Sequence, residues 1–389
     1  MTDSINFKTY KFDINVDHIN QNKSNGLDSS WLTLKFYGND FNVKLINSLR
    51  RCICDDLPSY ALPSELINID VNTTVAFNND YMKLRLSMLP VYGIDCDLYF
   101  LPEKYWKNVN YIDIAREKHP KEKIVEMYIN VHNNTTDILN VTTEDINMYV
   151  DGETITPYNK KYPILLIKLR PNDKFKCHMK AVLGVASRHT IWSLANNAYY
   201  DEIEEKGNKH YIFTVEGNMQ CDELEIIIRG CKYLISKLSD LKNDLELKIK
   251  TKEILHEKKI NFYLNNENHT IGEILNYEFQ DHKDILRSGL TKPDYLINAI
   301  LIKIECVSEI KSPLDAMLDC IDILINKYNH IGKLVSDLDY GKEYKHKSVK
   351  IIKSKSESSE SSESSESSES SSEEELKKKK KQIKKKGTK

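Results

Sequence analysis

The tightest pair of metal-ligating side chains in the chain is Cys52-Ile53-Cys54, and its other cysteines are scattered. On a helix, two thiols separated by a single residue project to different sides and do not converge on one metal ion. No second cysteine pair accompanies them, which leaves reduced core thiols as the reading. His189 and His269 are isolated, and no Ser-His or Cys-His arrangement suited to covalent catalysis is recognised. The chain has only 13 glycines, and neither a G-x-x-x-x-G-K phosphate loop nor a D-x-D-G cation loop occurs among them. No segment collects carboxylates as a metal-assisted reaction would need. These residue types and spacings point towards binding rather than catalysis.

The elements that would carry a binding surface are easier to read. Leu32, Leu34 and Phe36 alternate along a strand, and after Asn39-Asp40 a helix places Leu45, Ile46, Leu49, Cys52, Ile53 and Leu57 on one side until Pro58 stops it. A strand from Leu66 to Val71 and a short helix from Asp80 to Leu86 follow. Residues 91–160 are richer in Tyr, Asn and Thr and contain strand-like runs such as Ile124–Ile129, the pattern of an inserted β-rich subdomain. Pro163–Leu169 is expected to return to the main sheet, with a further strand at Tyr211–Glu216. From about Asp222 a long helix carries Leu224, Ile227, Cys231, Leu234, Leu238, Leu241 and Leu245 at alternating steps of three and four, a stripe suited to its own sheet or to a helix-pairing seam.

A second strand-then-helix unit repeats the first. Ile260–Leu264 leads into a helix entered by Asn268-His269-Thr270-Ile271-Gly272, with Thr270 and Glu273 spaced as a capping box. Ile300, Ile302, Ile304 and Cys306 alternate along a strand, and Ser312-Pro313 opens a final helix whose stripe fades beyond Tyr328. Two versions of one module in a chain suggest that they pair with each other.

Bulk charge argues neither for nucleic acid nor for a membrane surface. The chain has 389 residues, 40% hydrophobic and 29% charged, with a net charge of −2, and so lacks the basic body of a general DNA binder. Residues 353–389 carry eleven Lys and eight Glu, Ser-Ser-Glu repeats followed by Lys377–Lys381 and Lys384–Lys386, a composition expected to be disordered. Met1-Thr2-Asp3-Ser4 is polar with no apolar run behind it, so no secretory leader is expected. Ala299–Ile302 ends at Lys303, too short to span a bilayer, and no membrane partner is expected.

The stretches Asn47–Arg51, Leu57–Ala61, Asn72–Val75, Asp80–Pro90, Pro163–Leu169 and Lys180–Ser193 occur in the order found in the α-like assembly subunits of multisubunit DNA-directed RNA polymerases. The chain resembles that family: the bacterial α N-terminal domain, the archaeal D-type protein and the third-largest subunit of eukaryotic RNA polymerase II. Residues 260–328 resemble its small partner, the archaeal L-type protein and the eleventh subunit of RNA polymerase II, through His269–Gly272 and Ser288–Pro293. Three departures stand out. Leu275-Asn276 replaces the family's Leu-Arg, Lys292-Pro293-Asp294 replaces its proline-histidine-proline loop, and Cys96 alone replaces the clustered cysteines that bind zinc or iron–sulfur in some D-type proteins.

The resemblance implies an α+β chain with two α-like dimerisation modules fused through roughly Lys242–Glu257. The large module would take residues 1–90 and 161–248, the insert 91–160, the small module 249–338 and the tail 339–389. Such fusions resemble subunits of large nucleocytoplasmic DNA viruses, which implies host-cytoplasmic viral factories and packaging in the virion. It implies a non-catalytic scaffold, partnered by the largest, second-largest and smaller polymerase subunits. No cofactor or metal would lie in this chain, the catalytic magnesium residing in the other subunits. Interface residues implied are Asn47, Arg50, Arg51, Arg85, Lys180, Arg188, Trp192, His269, Thr270 and Gly272. Arginines on a helix face are more often merely solvated, and Trp192 suits a core equally well. A nucleic-acid or partner-binding adaptor acting through the Lys-rich tail is the other reading, beside a plain solubilising tail.

Overall fold

The computed structural model describes residues 10–23, 29–94, 96–113, 115–158, 160–205, 207–251, 258–307 and 313–338. The Ser-Glu and Lys-rich tail, Ser312 and the 252–257 connection lie outside the described residues. Helix and antiparallel sheet are mixed throughout, an α+β arrangement.

Leu32, Leu34 and Phe36 bury one face of strand β2 (Ser30–Tyr37), as their alternation requires. It lies between β1 (Asn15–Asn22) and β12 (Asn208–Gly217), and β11 (Ala195–Glu205) completes a four-stranded antiparallel sheet in the order β1-β2-β12-β11. β1 left no clear sequence signal because its residues beyond Val16 are polar apart from Ile19, and all are half or fully exposed, as an edge strand permits.

Helix α1 (Val43–Asp55) enters from a tightly bonded turn. The Asp13 carboxylate accepts from the backbone and side-chain nitrogens of Asn39 at 3.1 and 2.8 Å, and Asp40 accepts from the Asp13 N–H at 2.7 Å. Gly38 has φ +129°, and a Cβ there would collide with the Asp13 carbonyl. Asn42 caps the helix, accepting from Lys44 and Leu45 N–H. Helix α3 (Glu223–Thr251) starts with Glu223 buried and hydrogen-bonded by Ser30 Oγ and Lys23 Nζ, a carboxylate placed where the helix dipole favours it. Gly230 lets α1 approach closely, since a Cβ would lie 2.8 Å from Leu49 and 3.0 Å from Ile53.

The second half of the chain builds a smaller sheet, β13 (Lys259–Asn265), β15 (Ala299–Cys306) and β14 (Ile285–Thr291), in the order β13-β15-β14. Helices α4 (His269–Asp281) and α5 (Pro313–Asp337) cover it. Across the molecule α1 meets α4 and α3 meets α5, and one hydrophobic core runs through both sheets and all four helices.

Two helix details differ from expectation. Asn268, not Thr270, caps α4, its side chain accepting from Thr270 N–H. Thr270 is therefore buried within the helix, and Glu273 turns outwards instead of closing a capping box. Helix α5 does not fade at Tyr328. Ile331 and Val335 extend its buried stripe by three and seven residues, hidden in sequence by the polar residues around them.

A second core lies under a six-stranded sheet. The twelve-residue strand β10 (Lys174–Val185) is its spine. Along one side β10 pairs in succession with β4 (Ile67–Asn72) and β3 (Pro58–Ala61), and along the other with β5 (Val125–His132). β7 (Ile146–Val150) and β8 (Glu153–Ile155) extend the sheet beyond β5. The β-rich 91–160 stretch thus shares a sheet with strands that precede and follow it, and its first part, up to Ile124, contains no strand among the described residues. Leu165–Leu169, expected in the main sheet, forms β9 and pairs with β6 (Leu139–Thr142) in a separate ribbon. Leu166, Ile167 and Leu169 find their burial in this second core. Helix α2 (Asn79–Ser87) adds Met82 and Leu86 to the same core.

Candidate interaction surface

Helix α1 presents two sides. Leu45, Ile46, Leu49, Cys52 and Ile53 face the core, while Asn47, Arg50 and Arg51 flank that stripe, half-buried. Arg50 folds back on its own helix, its Nε and a terminal nitrogen donating to Asn47 Oδ1 at 3.2 and 3.1 Å. That acceptor is neutral, so the guanidinium charge has no carboxylate in this bond. The Arg51 side chain makes no hydrogen bond or ion pair with any described residue. Two adjacent guanidinium groups beside an apolar ridge can take a carboxylate or a row of carbonyl oxygens from another chain.

The remaining predicted residues fall into three groups. Arg85, exposed on α2, donates to the Leu165 carbonyl at 2.8 Å and ties that helix to the ribbon. Lys180 is exposed on β10 and pairs with Glu126 at 3.0 Å, whose carboxyl is held below its ordinary range chiefly by that hydrogen bond. Arg188 is occupied internally, donating to the Trp106 and Val109 carbonyls at 2.5 and 2.7 Å and lying 4.2 Å over the Tyr111 ring. It clamps the 106–111 segment to the loop after β10.

Trp192 offers no surface. It is 2% exposed, donates Nε1–H to the Val182 carbonyl at 3.0 Å and stacks against Gly184, where a Cβ would lie 2.6 Å from the indole. Its size and its single donor are both satisfied inside. Thr270 and Gly272 are likewise buried, Gly272 because Ile300 and Leu290 of the small sheet press against it. His269 is exposed at the first turn of α4. The His269-Thr270-Gly272 pattern therefore seats a helix on its own sheet.

Arg188, His189 and Trp192 border an open cleft of about 530 Å³, whose other wall is formed by Asp80, Lys83 and Leu84 of α2. Arg50 and Arg51 do not line it. Tyr111 lies beside Arg188 with its hydroxyl buried and unpartnered. Burial pushes that hydroxyl above its ordinary value, with Arg188 and Arg116 opposing.

Several residues that matter at the helix seam were not singled out from sequence. Ser48 Oγ and the Tyr328 hydroxyl meet at 2.6 Å, both buried, joining α1 to α5. Lys327 donates to both carboxylate oxygens of Glu278 at 3.1 and 2.8 Å, an ion pair buried on both sides. Burial raises Glu278, with Lys327 opposing. Only the spacing of Tyr328 within the α5 stripe gave a signal for any of these.

Cys52 and Cys54 lie on different sides of α1, one buried and one half-buried. Burial pushes Cys52 well above the ordinary thiol value and Cys231 up to about 12. No group of three metal-ligating side chains converges among the described residues, and no described helix is long and apolar enough to cross a membrane.

No protein-family profile matches the chain. It is 28% identical over 326 residues to a DNA-directed RNA polymerase subunit of Acanthamoeba polyphaga mimivirus, covering 78% of this chain and 90% of that protein. It is 27% identical over 175 residues to a DNA-directed RNA polymerase subunit of Pyrobaculum arsenaticum, covering 45% of this chain and 60% of that one. The chain is thus similar to RNA polymerase subunits of viral and archaeal origin, and that similarity supports a role in DNA-directed RNA polymerase.

Proposed function

We propose that the chain is a non-catalytic assembly platform of a multisubunit DNA-directed RNA polymerase. Residues 1–90 with 161–248 act as a large α-like module and 249–338 as a small one, paired within a single chain. The observation that carries this reading is the correspondence of contacts. The first helix of each half, α1 and α4, meets its counterpart, and so do the long closing helices α3 and α5. Joining the halves replaces a bimolecular encounter with an intramolecular one at high effective concentration.

Asn47, Arg50 and Arg51 dock a large subunit in this reading, and Lys180, Arg85 and His269 mark further contact points. Arg188 and Trp192 hold the loop after β10 in shape and so act from behind the surface. Nucleotide addition and its magnesium belong to the partner subunits, and the assembled enzyme transcribes in the host cytoplasm and travels in the virion.

The test is co-expression of the full chain with the two largest polymerase subunits of the same genome, followed by gel filtration and mass measurement. A complex with one copy of this chain is expected. Arg50→Glu with Arg51→Glu should lower its yield about ten-fold, the loss of roughly 1.4 kcal/mol or more of interface energy. Elution of the unmutated chain alone would overturn the proposal.

A further inference from the structure

Three ion pairs between described residues cross the helix seam with a common polarity. Lys44 of α1 meets Glu273 of α4 at 2.8 Å. Lys237 of α3 meets Glu267, two residues before α4, at 2.9 Å. Lys242 of α3 meets Asp322 of α5 at 2.6 Å. In all three the base comes from the first half of the chain and the acid from the second. The six side chains are between 21% and 38% exposed, so each pair stabilises the closed form only modestly.

Discrimination follows different arithmetic from affinity. A like-with-like encounter, α1 and α3 of one copy against α1 and α3 of another, would set Lys44, Lys237 and Lys242 against a surface that lacks Glu267, Glu273 and Asp322. The converse encounter would leave those three carboxylates without the lysines. Charges left unpaired at a seam count against a wrong partner as well as for the right one. Shape reinforces charge, because the large Tyr328 of α5 reaches the small Ser48 of α1 at 2.6 Å. Like-with-like pairing would take from both buried hydroxyls the hydrogen-bond partner they share.

We infer that the seam is charge-sorted, basic at Lys44, Lys237 and Lys242 and acidic at Glu267, Glu273 and Asp322, and so accepts only an unlike module as partner. Sorting makes the chain close on itself and keeps copies from associating through their exposed halves. The inference rests on the two-module reading above, and adds the residues that decide which module pairs with which.

The test uses full-length chains. K44E/K237E/K242E makes both sides of the seam acidic, E267K/E273K/D322K makes both basic, and a six-site chain carrying all the changes reverses the polarity. The wild-type and six-site chains are expected to show the mass of one chain and equal resistance to protease at the 251–258 connection. Each triple variant alone should be cleaved about ten-fold faster at low salt. In 1 M salt, where screening acts within about 3 Å, the difference should largely vanish, which lost packing would not do. Co-expressed with different tags, the two triple variants should co-purify as a 1:1 dimer, each lending its module to the other.

A six-site chain as sensitive as the triples overturns the inference. So does failure of the co-expressed triples to associate. If a triple is insoluble alone, the six-site chain and the co-expressed pair still decide. Sorting and polymerase docking fail separately, since a correctly sorting chain that ignores the large subunits removes only the platform reading.

Discussion

Asp56 closes α1 in an uncomfortable place. It caps the end of the helix where unpaired carbonyls already concentrate negative charge. Burial pushes its carboxyl up to about 6 from an ordinary 3.8, with Asp55 and Glu267 reinforcing the rise and the Ser187 hydrogen bond and Lys237 opposing it. The folded chain therefore holds this proton more tightly than the unfolded one. The stabilisation is fully present below about pH 4 and is lost as pH rises through about 6. Asp56→Asn keeps an acceptor for Ser187 and removes the charge. It should raise stability at pH 7.5 by about 1 kcal/mol, discounted for partial exposure, with the gap closing by pH 4 in denaturant titrations. The buried Glu278–Lys327 pair predicts the opposite kind of outcome. Lys327→Met leaves a carboxylate unpaired among apolar groups and should cost about 3 kcal/mol at neutral pH, whereas adding Glu278→Leu should return most of it. A double-mutant cycle by thermal melting checks both.

At the scale of elements, the strand-helix units were legible because their signals are periodic. Alternating Leu32, Leu34 and Phe36, and the α3 stripe from Ile227 to Leu245, sit where period two and period 3.6 place them. What escaped was decided by tertiary partners. β1 is mostly polar and becomes a strand only because β2 offers an edge. Leu165–Leu169 reads as a core strand of any sheet, and only the fold selects β6 as its partner. The candidate surface was legible in part. The Asn47–Arg51 pattern points to a flank that remains half-exposed, while Trp192 and Gly272 were recognisable as special residues without their position inside the fold. Gly184 gives an element-level prediction. Gly184→Val should force the Trp192 indole from its place, costing about 1–3 kcal/mol as overpacking does, and tryptophan fluorescence should report the altered site.

At the scale of the whole molecule, the seam decides the state of association. A chain whose α1 and α3 are covered by its own α4 and α5 withholds that seam from a second copy, so light scattering should give the mass of one chain across a wide concentration range. The order of these helices along the chain has a temporal side. The stripe of α3, with Leu234, Leu238 and Leu245, leaves the ribosome before the small sheet exists, and its cover α5 begins only at Pro313. At about 5–20 residues per second, the nascent chain carries an uncovered apolar ridge for roughly ten seconds. Were the cover a separate polypeptide, that interval would depend on diffusion and abundance. Carried on one message, it depends on translation speed alone, and rare codons between Thr251 and Pro313 would lengthen the exposure to chaperones and to aggregation.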